Sequence, residues 1–295
     1  MVLDGATGTA LQRSGMGPGV CPEMFALEHP GILTGVQRRY IDAGAQAIYT
    51  FTLGANAHKL GEFALRHDVR RINMELATLS VKAAGSRAFV GGDVGSTGSF
   101  LAPLGDLHFE QAVDIYREQI SALAEAGVDF IVIETMIDIQ EARAAVIAAK
   151  ECCDLPVVAS MTFDTHGRTL TGTSPAAAAM TLVSAGADVV GLNCSTGPAE
   201  MVPLVEAMKA VSSVPLLVKP NAGMPRIENG RTLFDMSCEQ FRTYIKPLCE
   251  AGANMIGGCC GTDPDYIRAI SDEVASLSPV PWRQEMPAAL TSVSD

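Results

Sequence analysis

The chain has 295 residues, 48% apolar and 18% charged, proportions of a globular chain and not of a disordered one. Its 21 basic and 33 acidic residues leave a net charge of −12 and a pI near 4.9, which argues against a nucleic-acid partner and offers no basic cluster to an anionic membrane. Mean hydropathy is +0.22, yet no apolar run approaches the ~18 residues of a membrane span, and the opening MVLDGATGTA lacks the flank and core of a signal peptide, so a cytoplasmic setting with reduced thiols is expected.

In chain order, strands are predicted at 1–3, 47–49, 88–94, 130–133, 156–162, 189–192, 215–219 and 255–256. These runs are almost continuously apolar, as strands of a parallel sheet buried on both faces are. Helical periodicity fills 109–126, 139–150, 175–184, 199–211, 238–250 and 264–276. Pro175, Pro198 and Pro264 stand where a first helical turn tolerates proline. One pattern recurs: DAGAQAIYTFT from Asp42, EAGVDFIVIET from Glu125, SAGADVVGLNC from Ser184 and EAGANMIGGCC from Glu250. Each copy predicts a helix end, a left-handed glycine cap (Gly44, Gly127, Gly186, Gly252) and a short strand. Eight strands alternating with helices predict a (β/α)8 barrel over 1–278; a doubly wound sheet is the alternative, but no GxGxxG follows the first strand. Residues 279–295, rich in proline, are expected to form a tail or linker.

Active sites of such barrels lie at the C-terminal ends of the strands. Counted from the four glycines, the seventh residues are Phe51, Glu134, Asn193 and Cys259, and the eighth are Thr52, Thr135, Cys194 and Cys260. Cys194, Cys259 and Cys260 are thereby expected at one rim. Three thiolates there would bind Zn2+ and leave a fourth position open. Both members of the vicinal pair can face one metal only if the backbone bends, a freedom that Gly257, Gly258 and Gly261 supply. Two other readings stand beside this one. Buried cysteines mostly serve as small hydrophobes, the role expected of Cys21, Cys152, Cys153, Cys238 and Cys249. GGCCGT also has the makings of a phosphate cradle through Gly258, Gly261 and Thr262. Glu134 closes its strand either as a partner for a substrate cation or in a salt bridge with a barrel Arg or Lys. Asp4 ends the first strand in a similar position, and Gly5 and Gly8 offer amides to an anion. An amino-acid ligand would use both kinds of group. Asn221 in KPNAG is either a guard of the fourth metal position or a turn residue.

Taken together, DGATGT, TFTLGAN, GGDVGSTG, IETMID, GLNCSTGP, KPNAG and GGCCGT resemble the homocysteine S-methyltransferase family, in order from residue 2 to about 275. The stretches FLAPLGDLHFEQAVDIYREQI and MTFDTHGRTLTGTSP look most like the homocysteine-binding module of cobalamin-dependent methionine synthase. The resemblance implies zinc held by Cys194, Cys259 and Cys260, with the homocysteine sulfur in fourth place and Asn221 there when substrate is absent. It implies Asp4 and Glu134 as holders of the substrate amine, with Gly5 and Thr50 as further contacts. It implies methionine as product. Folate, cobalamin and activation modules have no counterpart in these residues. The chain would then be a stand-alone version or one piece of a split system. One Trp and five Tyr are few for a pocket that closes on a small donor, so methylcobalamin on a separate corrinoid protein is the expected methyl donor, with S-methylmethionine or betaine as the alternative. A non-catalytic zinc-storage or thiol-sensing protein is the reading from another class, and it leaves Asp4 and Glu134 unexplained.

Overall fold

The computed structural model describes residues 1–228, 231–283 and 285. Its parallel strands are β1 (Ala47–Tyr49), β2 (Phe89–Val94), β3 (Phe130–Met136), β4 (Val157–Met161), β5 (Val189–Asn193) and β6 (Leu216–Lys219). After them come an antiparallel hairpin of β7 (Pro225–Glu228) and β8 (Arg231–Phe234), and finally β9 (Ala253–Ile256). The sheet runs β1-β2-β3-β4-β5-β6-β9. Its two edges meet on the N-terminal segment: Val2 bridges Ile256, Leu3 bridges Ala47, and both bridges are parallel. The eighth stave expected at 1–3 is therefore two residues of bridge, enough to close the barrel.

Helices alternate with these strands as the periodicity predicts, including Phe109–Glu125, Ile139–Cys152, Pro175–Ala185, Pro198–Lys209 and Pro264–Val274. Three more, Thr7–Arg13, Pro22–Glu28 and Pro30–Asp42, lie between the first stave and β1. The helix expected over 238–250 is instead two pieces, Cys238–Arg242 and Ile245–Ala251. The β7–β8 hairpin was not foreseen either, because PRIE and RTLF are too short and polar to show an alternation. All four repeat glycines have positive φ: Gly44 108°, Gly127 84°, Gly186 108° and Gly252 134°. Each ends its helix there, so the following strand starts in the same phase in every copy.

The apolar interior has two parts. Leu3, Ala47, Tyr49, Phe130, Val132, Val158 and Leu217 fill the barrel itself. A larger cluster lies between sheet and helices, and Cys21 belongs to it while Cys152, Cys153, Cys238 and Cys249 pack against it. Those five cysteines thus behave as small apolar side chains. Among the described residues no helix is long and apolar enough to cross a membrane. Most of the 279–295 tail lies outside the described residues; within it, the Val280 carbonyl accepts a 2.9 Å hydrogen bond from Asn254 Nδ2.

Candidate metal centre

The three rim cysteines converge. The Sγ atoms of Cys194, Cys259 and Cys260 all lie within 4.8 Å of one another, and Cys194 and Cys260 are 3.9 Å apart. A tetrahedral centre with bonds of ~2.3 Å would place its sulfur ligands roughly 3.8 Å apart, so this triangle fits zinc with little adjustment. Among the described residues no other three His, Cys, Asp or Glu side chains meet this closely.

The backbone explains the convergence. β6 lies between β5 and β9, and its continuation, 219–222, is hydrogen-bonded on both sides beyond the strand end. On one side Cys194 N–H donates to Lys219 O and Asn221 N–H to Thr196 O, at 3.0 and 3.1 Å. On the other, Cys259 N–H donates to Pro220 O at 2.7 Å and Ala222 N–H to Cys260 O at 2.9 Å. Both sulfur-bearing segments therefore hang on one central stretch, with Asn221 in its middle. β9 ends at Ile256, so strand alternation no longer separates Cys259 from Cys260. Gly258 can approach this closely because a Cβ there would collide with Thr262. Cys194 and Ser195 take φ of 62° and 64°, and Thr135, at the same repeat position as Cys194, takes 61°. Such left-handed conformations are uncommon outside glycine and concentrate where geometry serves function.

The same bonds count against a phosphate cradle. In GGCCGT the N–H groups of Gly257, Gly258, Cys259 and Thr262 donate to Val218, Asp4, Pro220 and Cys259 carbonyls. A nest needs those donors unengaged. As thiols, the three cysteines resist ionisation. Hydrogen bonding to Cys259 pulls Cys194 down, but the bond to Cys260 and burial leave it pushed up to about 12. Cys260 is likewise pushed up to about 12, with Cys194 pulling down and Cys259 and burial pushing up. Cys259 stands well above the usual thiol range, through its bond to Cys194 first. A divalent cation would reverse this, since it needs thiolates.

Below the sulfurs lies a ring of buried polar groups. Glu134 is 8% exposed and its Oε2 has no hydrogen-bond partner among the described residues. Burial pushes its carboxyl up, and Lys219 partly offsets that. The salt-bridge alternative weighed for Glu134 belongs instead to Asp4, whose Oδ1 lies 2.8 Å from Lys219 Nζ, both side chains under 5% exposed. Asp4 Oδ2 also accepts the Tyr49 N–H at 2.8 Å. Burial pulls the Lys219 ammonium down, but Asp4, Tyr49 and Glu134 outweigh it and keep it charged. Its Nζ also sits 3.7 Å from the Tyr49 ring centroid. Asn221 is 2% exposed and its Oδ1 has no partner among the described residues, unlike a turn residue bonded to its own backbone. Gly5 is packed so that a Cβ would meet Tyr40 at 2.8 Å and Thr262 at 3.0 Å. Thr50 Oγ1 is already engaged, pairing with Thr52 Oγ1 at 2.6 Å and accepting the Asp93 N–H at 2.8 Å.

The homocysteine S-methyltransferase family model matches residues 1–274. The chain belongs to that family. Methionine synthase of Mycobacterium leprae is 30% identical over 93% of the chain, and methionine synthase of Mycobacterium tuberculosis 31% over 94%. The chain spans about a quarter of the length of these relatives (24% and 25%). Among solved structures, the metallated form of the Escherichia coli homocysteine methyltransferase MmuM superposes with a TM-score of 0.77 at 23% identity, over 92% of this chain and 96% of that one. Its apo form gives 0.72 at 22% identity, over 92% and 95%. These two establish the shared barrel fold.

Two residues of this family site escaped sequence reasoning. Asn193 Oδ1 accepts from Thr135 N–H at 2.9 Å and Ser160 Oγ at 2.8 Å, and its Nδ2 donates to Thr135 Oγ1 at 2.8 Å. The same Nδ2 lies 4.0 Å from Cys259 Sγ. It ties the strained end of β3 to the sulfur triangle, and its shared repeat position with Glu134 and Cys259 was the available signal. Lys219, last residue of β6, had only its charge in an otherwise apolar strand to mark it.

Proposed function

We propose that this chain is a zinc-dependent homocysteine S-methyltransferase that forms methionine, taking its methyl group from a separate methyl-corrinoid protein. One observation carries the reading. Three sulfurs lie within 4.8 Å of one another at the strand ends, and two buried oxygens of residues also near strand ends, Glu134 Oε2 and Asn221 Oδ1, have no hydrogen-bond partner among the described residues. Three thiolates and one open position suit zinc and an incoming thiol. When bound, zinc supplies the Lewis acidity that removes the thiol proton near neutral pH, where a free thiol of pKa ~8.5 is mostly protonated.

The chain's own residues do the rest. Cys194, Cys259 and Cys260 hold the centre and keep it electron-rich, and Asn193 offers an N–H toward the Cys259 sulfur. Glu134 receives the substrate ammonium, with the Asp4 carboxylate beside it; Asp4 retains lone pairs after binding Lys219 and Tyr49 N–H. Asn221, between the two sulfur-bearing segments, is placed to guard the open position. Gly5 and Thr50 are assigned as substrate contacts on their place in the family motifs. In transfer, a sulfur–carbon bond forms, the bond from methyl to its carrier breaks, and the electron pair stays with the carrier. Anchoring the amine limits the directions the sulfur can face, which supplies in-line approach.

The choice of donor rests on surface. Next to Thr135 an apolar groove of about 540 Å³ is lined by Phe51, Leu53 and Phe63, and Leu53, Phe63 and Val20 keep 38%, 38% and 44% of their area exposed. An open apolar rim suits a donor presented by another protein better than a small free cation. The test offers zinc-loaded protein and homocysteine each of methylcobalamin, S-methylmethionine and betaine, and follows methionine. Methionine from methylcobalamin is expected; methionine from either small donor alone would overturn the donor assignment.

A further inference from the structure

Glu134 is not the only buried carboxyl here without a partner. Asp93 on β2 is 7% exposed, and its Oδ1 has no hydrogen-bond partner among the described residues. The strand register shows where it points. β2 pairs with β3 in parallel, Gly91 opposite Phe130 and Asp93 opposite Val132. Phe130 and Val132 belong to the cluster that fills the barrel. Paired residues of adjacent strands share a face, so Asp93 also faces the interior. The next inward residue of β3 after Val132 is Glu134. The main chain of Asp93 is fully engaged: its N–H donates to Thr50 Oγ1 at 2.8 Å and its carbonyl accepts from Thr52 Oγ1 at 2.7 Å. The backbone is satisfied and the side chain is not.

The charges are also unequal. Asp4, Asp93 and Glu134 share the field of Lys219, the one buried lysine among the described residues, and Lys219 is committed to Asp4 at 2.8 Å. Two inward carboxyls remain without an ion-pair partner among the described residues. Burial pushes Asp93 well above the usual carboxylate range, and the field of Glu134 pushes it further. Burying unpaired carboxyls is costly, and natural interiors avoid it unless a partner arrives. A ligand that brings its own cation would relieve both groups at once.

We propose that Asp93 is a substrate-binding residue, which with Glu134 forms the receptor for the ammonium of an amino-acid thiol and rejects thiols that lack the amine. This rests on the function proposed above and gives a role to Asp93, which lies in the GGDVGSTG stretch but was assigned none there. Thr50 and Thr52 then serve to hold the Asp93 backbone in place.

The test uses the zinc-loaded full chain and two ligands, homocysteine and 4-mercaptobutanoate, which carries the same thiol and carboxylate but no amine. Calorimetric titration gives both affinities, and zinc content is measured in each sample. Asp93→Asn is expected to weaken homocysteine by about tenfold or more, the loss of one charged hydrogen bond, and to change 4-mercaptobutanoate by less than about twofold. Asp93→Ser gives the same contrast if the Asn variant does not fold. In the wild type, homocysteine is expected to bind more tightly than its amine-free analogue by at least that tenfold factor. Unchanged homocysteine affinity in both variants, equal weakening of both thiols, or a wild type that does not distinguish them overturns the proposal while leaving homocysteine binding intact. A wild type that binds neither thiol overturns the function it rests on as well.

Discussion

The chain contains the dipeptide Cys-Cys twice, at opposite mouths of the barrel. Cys152–Cys153 ends the helix Ile139–Cys152 below the start of β4; Cys153 Sγ turns back to the Ala149 carbonyl at 3.4 Å and both side chains pack against the apolar cluster. Cys259–Cys260 follows β9 at the other mouth, where Pro220 and Ala222 hold its backbone and Cys194 supplies the third sulfur. The dipeptide is the same, so its chemistry comes from position. At a helix end, two thiols have apolar neighbours and carbonyls. At the strand ends of a closed barrel, they have other strand ends, and ligands from distant segments collect there.

That contrast breaks most directly through the metal. Cys259→Ala is expected to lower zinc affinity by at least about a hundredfold, leaving purified protein nearly free of zinc by atomic emission, whereas Cys152→Ala keeps about one zinc per chain. Equal losses in both would end the distinction. The thiols' resistance to ionisation sharpens it. Because Cys194 and Cys260 are pushed up to about 12 and Cys259 stands well above the usual thiol range, all three are protonated near pH 7, and zinc uptake should displace close to three protons, measured by titration in buffers of different ionisation heat. Loading should therefore weaken as pH falls.

The carboxylates at the same mouth divide in a parallel way: Asp4 is paired, while Asp93 and Glu134 have no ion-pair partner among the described residues. Asp4→Asn strands Lys219 as a buried unpaired cation and should cost about 3–5 kcal/mol of stability in chemical denaturation. Glu134→Gln removes no such pair. Its stability should stay near wild type while homocysteine binding weakens about tenfold to a hundredfold with zinc retained, and unchanged affinity would remove Glu134 from the site. The smallest effect concerns the glycines that only the upper pair has. Gly258→Ala drives a methyl into Thr262 and should destabilise by about 1–3 kcal/mol, whereas Asp154→Ala, beside the lower pair, should fall within about 0.5 kcal/mol.

Much of the upper mouth was legible because its spacing is local. Gly44, Gly127, Gly186 and Gly252 each end a helix at positive φ, and strand rise per residue then carries Glu134, Cys194 and Cys259 to matching depth. Asn193 shares that depth, yet its tie to Thr135 and Ser160 depends on which strands are neighbours. The hairpin strands Pro225–Glu228 and Arg231–Phe234 and the break at Thr243–Tyr244 left no periodic trace, because each is too short to show a period.

By itself, then, the sequence determined the barrel and the mouth at which the three sulfurs meet, since helix caps and strand lengths are counted along the chain. Tertiary structure decided which charges meet. The Asp4–Lys219 pair spans 215 residues and forms only because Val2 and Leu3 close the sheet between β9 and β1. Among the described residues, that closure assigns the single buried lysine to Asp4 and leaves Asp93 and Glu134 facing the interior without an ion-pair partner, an outcome of strand order and register that no local spacing encodes.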